Sequence, residues 1–241
     1  AAAPSLACGR GSRAVWTRRA IGAAAVAVVA APAVARTPRR VVSLTPCLDA
    51  MLVRLADPDQ IAALSRWARD PQGSSIAAEA RGFPVTGGAA EEIVALGPDL
   101  VLTSRYAFVV TRHTLARLGV RAEAFGTPAT LAESLGEVAR VGVLVGRPER
   151  GRALVTAIRE AVARAAPPPG APRLSALVFQ GGGFASAPGT LMDEMLRRTG
   201  FDNAAARYGL ERTGPVPLER LLADPPDVLL AGQRRPGAPT W

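Results

Sequence analysis

Hydrophobic and polar positions follow the same pattern in two stretches of the chain, residues 90–104 and 217–232. In each stretch an amphipathic run is followed by a Pro-Asp pair and then by a continuous apolar run, at 100–102 and at 228–230. This pattern predicts a short helix, a tight turn and a buried strand of a parallel sheet. The two Pro-Asp pairs are 128 residues apart (227 − 99), which is too far for a solenoid repeat. The repeat therefore predicts two similar α/β lobes.

Strands and helices are also predicted to alternate through the first half of the chain. Apolar runs predict strands at 40–44, 61–64, 100–103 and 120–125, and helical periods follow at 47–56, 90–96, 106–119 and 131–145. At the first helix, Thr45 offers an N-cap hydroxyl and Pro46 fits the first helical position. Such alternation favours a parallel, doubly wound sheet in each lobe.

The segments that follow the predicted strands are the candidate ligand-binding residues, because doubly wound sheets bind ligands outside the carboxyl ends of their strands. In the first lobe these residues are Thr45, Pro46, Cys47, Arg66, Trp67, Gly87, Gly88, Ser104, Arg105 and Tyr106. In the second lobe the strand at 174–179 is followed by Gln180, Gly181, Gly182 and Phe184. The glycines would let the backbone approach a ligand closely. A tight turn before the helix that Thr190 caps is an equally good explanation.

A single long helix is predicted between the lobes. Residues 150–166 place their apolar side chains on one face, and three prolines then end the helix. Seventeen residues span about 25 Å, which is enough to cross from one lobe to the other. We therefore assign 36–147 to an N-terminal lobe, 148–167 to the connecting helix and 168–241 to a C-terminal lobe. The chain stops nine residues after Gly232, so we expect the second lobe to be incomplete by at least one helix and one strand.

The first 35 residues have the composition of an export signal. Arg18 and Arg19 precede sixteen uncharged residues, 20–35, which end in the small-residue sequence AVA. This order predicts a signal peptide that is cleaved after Ala35. The paired arginines favour the twin-arginine route, and a general secretory signal is the alternative. A membrane anchor would need about 20 apolar residues, so we expect a periplasmic protein that is not an integral membrane protein.

The charge of the chain does not indicate nucleic-acid binding. All 29 basic residues are arginines and the formal net charge is +9. Removal of residues 1–35 takes away four arginines and no acids, which leaves 25 − 20 = +5. The remaining arginines alternate with acids and form no cluster with interleaved aromatic residues. Cys47 is then the single cysteine, which excludes an intramolecular disulfide and the multi-cysteine zinc motifs.

The candidate chemistry is that of binding and not of catalysis. His113 is the only histidine, whereas a zinc or manganese site needs several histidine or carboxylate ligands. Ser43 and Ser65 lack a nucleophile-elbow motif around them, and Asp49 and Glu194 are expected on the charged faces of helices. We therefore expect no enzyme activity, no metal site and no resident cofactor.

Five segments together resemble the substrate-binding proteins of ABC importers for cobalamin, ferric siderophores and haem. They are VVSLTP at 41–46, AEEIVALGPDLVL at 90–102, the helix at 150–166, FQGGGFASAPGTLMDEML at 179–196 with GFDN at 200–203, and PLERLLADPPDVLL at 217–230. The resemblance covers roughly residues 39–232. It implies two α/β lobes joined by one long helix, a metal-chelate ligand in the cleft between them, and the permease subunits of an ABC importer as partners.

The resemblance also implies roles for individual residues. In this family one surface glutamate per lobe docks onto arginines of the permease, and Glu91 and Glu219 hold the matching positions, each seven residues before the proline of a Pro-Asp pair. The alternative is that the helix dipole favours a carboxylate in a first turn, by about 0.3–1 kcal/mol. Trp67 matches a position at which cobalamin-binding relatives place an aromatic residue against the ligand, and Arg105 and Tyr106 lie in the corresponding rim.

The sequence leaves the ligand open among three metal chelates. Arg66, Arg69 and Arg105 suit an anionic ferric siderophore, whereas Trp67 and Tyr106 suit stacking against a corrin or porphyrin. We therefore expect a monomeric extracytoplasmic protein that captures a ferric siderophore, haem or cobalamin and delivers it to an ABC importer. An orphan binding or sensor domain of the same fold is the alternative, and a chelatase-like enzyme is a more distant one.

Overall fold

A five-stranded parallel sheet forms the centre of the first lobe. The computed structural model describes residues 37–231, so the predicted export signal lies outside the described residues. The strands of the first sheet are β1 (Val41–Ser43), β2 (Ile61–Ser65), β3 (Val85–Thr86), β4 (Leu100–Ser104) and β5 (Ala122–Phe125). Their spatial order is β3-β2-β1-β4-β5, and every neighbouring pair is parallel.

Helices follow several of the strands and cover both faces of the first sheet. In the described part of the chain they are α1 (Pro46–Leu55), α2 (Ala90–Ala95), α3 (Val109–Arg117), α4 (Leu131–Leu144), α5 (Pro148–Arg164), α6 (Leu191–Arg198) and α7 (Leu218–Ala223). The helix predicted at 150–166 is α5, which follows α4 after a short turn. None of the helices within residues 37–231 combines the length and the apolar character that a membrane crossing requires.

Two hydrophobic cores lie on opposite faces of the first sheet. Val41 and Leu100 belong to the core that α1 and α4 cover, whereas Val42 and Val101 belong to the core that α2 and α3 cover. Successive strand residues point to opposite faces, so a strand that is covered on both faces must be apolar at every position. This requirement explains the continuous apolar runs and confirms the doubly wound arrangement of the first lobe.

The second lobe, from residue 168 onward, has a mixed sheet with a parallel centre. Its strands are β6 (Leu174–Phe179), β7 (Phe184–Ala185), β8 (Phe201–Asn203), β9 (Gly214–Pro215) and β10 (Val228–Ala231). Strand β6 pairs in parallel with β8 and β10, whereas β7 pairs antiparallel with β6 and β9. The predicted class of two α/β lobes is confirmed. The glycine turn, however, joins β6 to another strand and does not lead directly into a helix.

The sequence repeat corresponds to a repeated structural unit. Helix α7 begins and ends 128 residues after α2 (218 − 90 and 223 − 95), and β10 begins 128 residues after β4 (228 − 100).

The aspartates of the two Pro-Asp pairs have the same role. The Asp99 carboxylate accepts the backbone N–H groups of Arg39 and Arg40 at 2.7 and 3.0 Å. The Asp227 carboxylate accepts the N–H and hydroxyl of Ser175 at 2.7 and 2.6 Å. Each aspartate thus fixes the start of the neighbouring strand.

The two copies of the repeat differ in the burial of their strands. Strand β4 lies between β1 and β5 and its apolar residues are buried, whereas Leu229 and Leu230 of β10 are exposed. The prediction of a buried strand is therefore wrong for the second copy. The reason is position, because among residues 37–231 β10 has a strand neighbour on one side only, β6.

Two glycines allow α4 and α5 to approach closely. A Cβ atom added at Gly142 of α4 would lie 2.9 Å from the Cα atom of Gly151 of α5. The obstacle is backbone, so a rotamer change cannot remove the clash. Through this contact α5 is held against the first lobe, where Leu154 and Ile158 pack on the core beneath α1 and α4.

We expect Gly142→Ala to lower the free energy of unfolding by about 1–3 kcal/mol, because the extra methyl group overpacks the α4–α5 contact. Gly136→Ala is the matched control in the same helix, where an added Cβ meets no atom within 4 Å. That control should raise the free energy by up to about 1 kcal/mol, the difference in helix propensity between glycine and alanine. Urea unfolding of both variants measures the difference. Equal changes in the two variants would show that the close helix contact contributes nothing.

Candidate functional site

A cleft of about 660 Å³ lies between the two lobes. Its first wall is formed by the start of α1, the loop that follows β5 and part of α4. Its second wall is formed by the loop before α6 and the first turn of α6. Its lining residues are Thr45, Cys47, Leu48, Met51, Ser104, Phe125, Gly126, Thr127, Pro128, Ala129, Ser134, Glu137, Ser186, Gly189, Thr190, Leu191, Met192 and Thr213. The strand order reverses between β1 and β4, so the cleft lies at the switch point where such sheets bind ligands.

Local backbone contacts shape the first wall. Pro46 begins α1 as predicted, but the hydroxyl of Thr45 makes no capping hydrogen bond, contrary to the prediction. The Ser104 hydroxyl instead has a turn-forming role, since it accepts the backbone N–H groups of Tyr106 and Ala107 at 3.1 and 3.3 Å. This turn directs the chain after β4 away from the sheet and leaves Ser104 at the cleft.

A buried carboxylate fixes α1 in the first wall. Asp49 accepts the backbone N–H of Ser65 at 3.0 Å and also the Ser65 hydroxyl, and its side chain is fully buried. Burial raises the pKa of Asp49, although the hydrogen bonds from Ser65 act in the opposite direction. The expectation of a charged, exposed helix face is therefore wrong at Asp49. The contact ties α1 to the end of β2 and so positions Cys47 and Met51 in the cleft.

We expect Asp49→Ala to lower the free energy of unfolding by about 1–3 kcal/mol, because the buried N–H of Ser65 then has no acceptor. Asp49→Asn keeps that acceptor and removes the cost of a buried charge, so it should be at least as stable as the wild type at neutral pH. Urea unfolding at neutral pH measures both changes. An asparagine variant as unstable as the alanine variant would contradict the explanation.

The same pair of proteins tests the pH dependence. A raised pKa means that the folded state holds the Asp49 proton more tightly than the unfolded state does, so this residue destabilises the fold as pH rises through and above the usual aspartate value of 3.8. The wild type should therefore lose stability relative to Asp49→Asn as pH rises from acidic to neutral. A difference that does not change with pH would contradict the assignment.

Side-chain hydrogen bonds fix the second wall as well. The Thr190 hydroxyl accepts the backbone N–H of Asp193 at 3.3 Å, which confirms the predicted cap of α6. The Asp193 carboxylate in turn accepts the N–H of Gly189 at 2.8 Å. The amide of Asn203 donates to the carbonyl of Ser186 at 3.0 Å. The segment from Ser186 to the first turn of α6 is thus held from both ends.

A hydrogen bond joins the two walls at one side of the cleft. The carboxylate of Glu194 in α6 accepts the backbone N–H of Leu131, the first residue of α4, at 2.7 Å. That N–H is one of the donors that a helix cannot satisfy internally. The bond from Leu131 and a second from Arg198 lower the pKa of Glu194. Glu194 therefore links the lobes, and the expectation that it only forms a charged helix face is wrong.

The cleft has a mainly apolar surface. Its apolar side chains are Leu48, Met51, Phe125, Pro128, Leu191 and Met192, and its polar ones are chiefly serine and threonine hydroxyls. Among the lining residues that the structure describes, Glu137 is the single carboxylate or basic group, and burial raises its pKa. No three His, Cys, Asp or Glu side chains within residues 37–231 are grouped to hold a metal ion. A volume of this size and character is typical of sites for small organic ligands.

A polar side pocket of about 360 Å³ adjoins the cleft and shares Glu137 and the loop after β5 with it. Arg105 and Tyr106, both predicted as ligand-binding residues, line this pocket together with Arg140. The guanidinium of Arg140 lies 4.5 Å from the Phe125 ring centroid and pairs with Glu123. The guanidinium of Arg105 makes no hydrogen bond or ion pair with the described residues. It is therefore available to a polar group of a ligand.

Four of the predicted rim residues lie outside the cleft. The Trp67 ring packs edge-to-face on Phe108 with a centroid distance of 6.3 Å, and the Arg66 guanidinium lies 4.6 Å from the Trp67 centroid. The N–H of Gly87 donates to Glu92, and a Cβ atom at Gly88, where φ is +91°, would lie 2.4 Å from the ring of Phe108. These contacts give the two glycines structural roles at the end of β3.

The glycine-rich segment of the second lobe forms a turn between β6 and β7. Gln180 donates its backbone N–H to the carbonyl of Phe184 at 2.7 Å, and Gly182 and Gly183 have φ values of +78° and +79°. Such values favour glycine, so the tight-turn explanation accounts for the residues. Gln180, Gly181, Gly182, Phe184 and the exposed Pro46 do not line the cleft.

Sequence reasoning missed the loop after β5 and the segment 186–192. The loop had a usable signal, because it follows a predicted strand and is therefore at the same sheet edge as Thr45 and Ser104. Glu137 lies one helical turn after the exposed Glu133 and has no such signal. Its place in the cleft depends on how α4 packs against the sheet, which the helix pattern alone does not determine.

Glu91 and Glu219 lie in the first turns of α2 and α7 at equivalent positions of the repeat. Both side chains are exposed, and neither has a hydrogen-bond or ion-pair partner within residues 37–231. The next residues along the two helices are engaged. Glu92 accepts the Thr86 hydroxyl at 2.7 Å, which lowers its pKa, and Arg220 donates to the Tyr208 carbonyl at 3.2 Å. In each lobe, the repeated glutamate is therefore a charged residue in the first turn of its helix that has no hydrogen-bond or ion-pair partner within residues 37–231.

Comparison with known proteins identifies both sequence and structural similarity. A family model described as periplasmic binding protein matches residues 41–240. A possible iron-binding periplasmic solute-binding protein from Staphylococcus epidermidis is 17% identical, with a TM-score of 0.65 over 81% of this chain and 78% of that chain. A periplasmic haem-binding protein from Pseudomonas aeruginosa is 23% identical, with a TM-score of 0.62 over 80% and 71%. The periplasmic vitamin B12 binding protein of Vibrio cholerae is 18% identical, with a TM-score of 0.61 over 81% and 76%. A comparison with curated protein sequences finds no match.

Proposed function

The chain belongs to the family of periplasmic binding proteins, and we propose that it captures a metal tetrapyrrole, either haem or a corrinoid, and delivers it to an ABC importer. The observation that carries this proposal is the cleft between the lobes. It lies at the switch point of the first sheet, has a volume of about 660 Å³ and is lined mainly by apolar side chains. A large ligand with an apolar body would bury its surface there without leaving polar groups unpaired.

The placement of the arginines favours a tetrapyrrole over an anionic ferric siderophore. Arg66 is stacked on Trp67, and Arg69 donates to the carbonyls of Ala80 and Phe83. Neither residue lines the cleft. An anionic iron complex in the cleft would therefore lie near the Glu137 carboxylate, and Arg105 would be the one unpaired guanidinium close enough to balance its charge. A tetrapyrrole fits this arrangement better, because its ring is apolar and its charged or polar groups are confined to peripheral side chains. Its polar side groups would reach Arg105 and Tyr106 in the side pocket.

The walls of the cleft also suit a flat ring. Met51 projects from α1 and Met192 from α6, so the two lobes each present a thioether. Methionine sulfur makes favourable contacts with aromatic rings and adapts to irregular shapes. The structures of similar fold include proteins described as binding haem and vitamin B12, which supports the same ligand class. In this proposal the metal arrives within the ligand, and the protein needs no resident cofactor.

The proposed mechanism is capture between the lobes followed by docking. The helix α5 and the hydrogen bond between Glu194 and Leu131 connect the lobes, so closure on the ligand requires only a modest hinge motion. The loaded protein then docks through Glu91 and Glu219 onto arginines of the permease. Export through the signal at 1–35, cleavage after Ala35 and a monomeric state remain predictions of the sequence.

A ligand panel tests the proposed function. We would titrate the mature protein with haem, cyanocobalamin and both hydroxamate and catecholate ferric siderophores, following absorbance and tryptophan fluorescence. Saturable binding of one equivalent of haem or cyanocobalamin is expected, with no saturation by the siderophores. Saturation by a siderophore alone would overturn the ligand class. No response to any of the panel from a folded protein would overturn the transport role and favour an orphan or sensor domain.

A further inference from the structure

Within residues 37–231, a single hydrogen bond crosses from the first lobe to the second. The Glu194 carboxylate of α6 accepts the backbone N–H of Leu131 in α4 at 2.7 Å, and the other hydrogen bonds of these residues stay within one lobe or join α5 to the first. None of the ion pairs described joins the lobes either. The covalent connection is the segment 165–173, which leads from α5 into β6. The polar connection between the lobes therefore depends on Glu194.

Arg198 fixes the direction of this carboxylate. Its Nε atom donates to Oε1 of Glu194 at 2.8 Å, and its Nη2 atom lies 2.7 Å from the same oxygen. The second carboxylate oxygen, Oε2, accepts the N–H of Leu131. Because Arg198 already restricts the rotamers of Glu194, the bond between the lobes costs less side-chain entropy than a free glutamate would lose.

The start of α4 leaves one donor for the other lobe. The Thr130 hydroxyl accepts the N–H of Glu133 at 3.2 Å, and the Glu133 carboxylate accepts the N–H of Ala129 at 2.8 Å. This reciprocal arrangement satisfies two backbone donors from within the first lobe. The N–H of Leu131 instead takes its acceptor from α6. It lies at the positive end of the helix dipole, where a carboxylate is favoured.

The bond between Glu194 and Leu131 lies beside the cleft. Ser134, three residues after Leu131, lines the first wall, and Met192, two residues before Glu194, lines the second. A pocket of about 460 Å³, which shares part of its lining with the cleft, is lined by Glu194 and Arg198. The distance between the two walls at this side is therefore set by the distance between the starts of α4 and α6.

We propose that Glu194 is a positioning residue for ligand capture, whose bond to Leu131 holds the two walls at their ligand-binding distance before the ligand arrives. The effect on the ligand rests on the proposed function, whereas the effect on the lobes does not. A site that is already ordered loses less free energy to ordering when it binds. Without the bond the second lobe would take several positions, and the fraction of molecules able to bind would fall, which weakens the apparent affinity.

Leu131→Pro is the most selective variant, because it removes the donor N–H and changes no charge. Proline is favoured at the first position of a helix. Thr130 already has the extended backbone, with φ −128° and ψ 159°, that a following proline requires. The matched control is Leu131→Ala, which also shortens the side chain but keeps the N–H.

Glu194→Ala removes the bond from the side of the acceptor. Its control is Glu160→Ala in α5, because Glu160 also pairs with an arginine four residues later along its helix. Both variants therefore lose one carboxylate from such a pair. Only Glu194→Ala loses a hydrogen bond to the other lobe.

The distance between spin labels on the two lobes of the free mature protein is the first measurement. The labels would be attached at Val110→Cys in α3 and Leu222→Cys in α7, both exposed, in a Cys47→Ser background. We expect a narrow distribution in the parent and both controls, and one about twofold broader in Leu131→Pro and in Glu194→Ala. Combining these two changes should add nothing, since both remove the same bond. A narrow distribution in both variants would overturn the inference.

Ligand affinity is the second measurement, with haem and cyanocobalamin as probes and without labels. We expect Leu131→Pro and Glu194→Ala each to raise the dissociation constant about fivefold or more, as the loss of a hydrogen bond to a charged group implies, and both controls to bind like the wild type. Wild-type affinity in variants whose lobes have become mobile would overturn the positioning role. Absence of binding in every protein, the wild type included, would overturn the proposed function, while the distances would still decide whether Glu194 holds the lobes.

Discussion

Met192→Glu is expected to weaken ligand binding by at least about 2 kcal/mol, which is roughly 30-fold in the dissociation constant. Met192 lies in the first turn of α6 and lines the cleft opposite α1. The substitution would bring a second carboxylate into a mainly apolar cleft that already contains Glu137. A ligand that fills the cleft would have to remove water from this charge without supplying a partner for it. Titration of the variant with haem and cyanocobalamin measures the loss.

Val110→Glu is the matched control for this experiment. Val110 occupies the same second helical position in α3 that Met192 occupies in α6, but it is 80% exposed and does not line the cleft. A carboxylate in a first helical turn is favoured by the helix dipole, so both variants should fold. We expect the control to bind ligand like the wild type. Wild-type affinity in Met192→Glu would exclude the cleft as the binding site.

Glu91→Ala combined with Glu219→Ala is expected to abolish ligand uptake and to leave ligand affinity unchanged. Both carboxylates are exposed and unengaged within the described residues, so their loss should not alter the fold or the cleft. Docking would lose one charge-assisted contact in each lobe, and truncation of such contacts in interfaces typically costs 2–5 kcal/mol. Uptake of labelled ligand by cells that carry the importer measures the effect, and titration of the purified variant measures affinity.

Glu79→Ala combined with Glu211→Ala is the matched control for uptake. Each lobe again loses one exposed glutamate without a partner in residues 37–231, so the net charge changes by the same amount. This control should support uptake at the wild-type rate. Equal loss in both double variants would show that overall charge and not docking controls uptake. Normal uptake by the Glu91 and Glu219 double variant would contradict the docking role directly.

The parts of the fold that sequence predicts well are those with local causes. The apolar runs that form β4 and β10 and the cap at Thr190 each depend on neighbouring residues, and the structure forms both strands and the cap as expected. Asp99 and Asp227 show why the repeat was informative. In each lobe the aspartate of the Pro-Asp pair binds the start of a strand that is distant in sequence. The sequence repeat therefore indicates that the two lobes share this arrangement of strands. The burial of β10 was not predictable in this way, since it depends on how many neighbours the strand has.

The candidate site is harder to predict from sequence than the fold, because side-chain direction depends on tertiary packing. Of the residues that the strand-end rule selected, Thr45, Cys47 and Ser104 line the cleft. The rule also selected Trp67 and Gly88, which lie at the same sheet edge but contact Phe108 and not the cleft. Which part of the edge becomes the cleft is decided by where the second lobe packs. That position depends on how α5 packs, which its helical pattern alone does not determine, and on the bond between Glu194 and Leu131, which has no local sequence signal.

Alkylation of Cys47 tests most directly the central claim that the ligand lies between the lobes. Cys47 is exposed and lines the cleft, and it is the single cysteine of the chain after removal of residues 1–35. The rate of its reaction with a maleimide would be measured with and without haem or cyanocobalamin at saturating concentration. The cleft model predicts that the rate falls in proportion to ligand occupancy, and that protection is lost in Met192→Glu. An unchanged rate at full occupancy would show that the ligand binds elsewhere and would contradict the model.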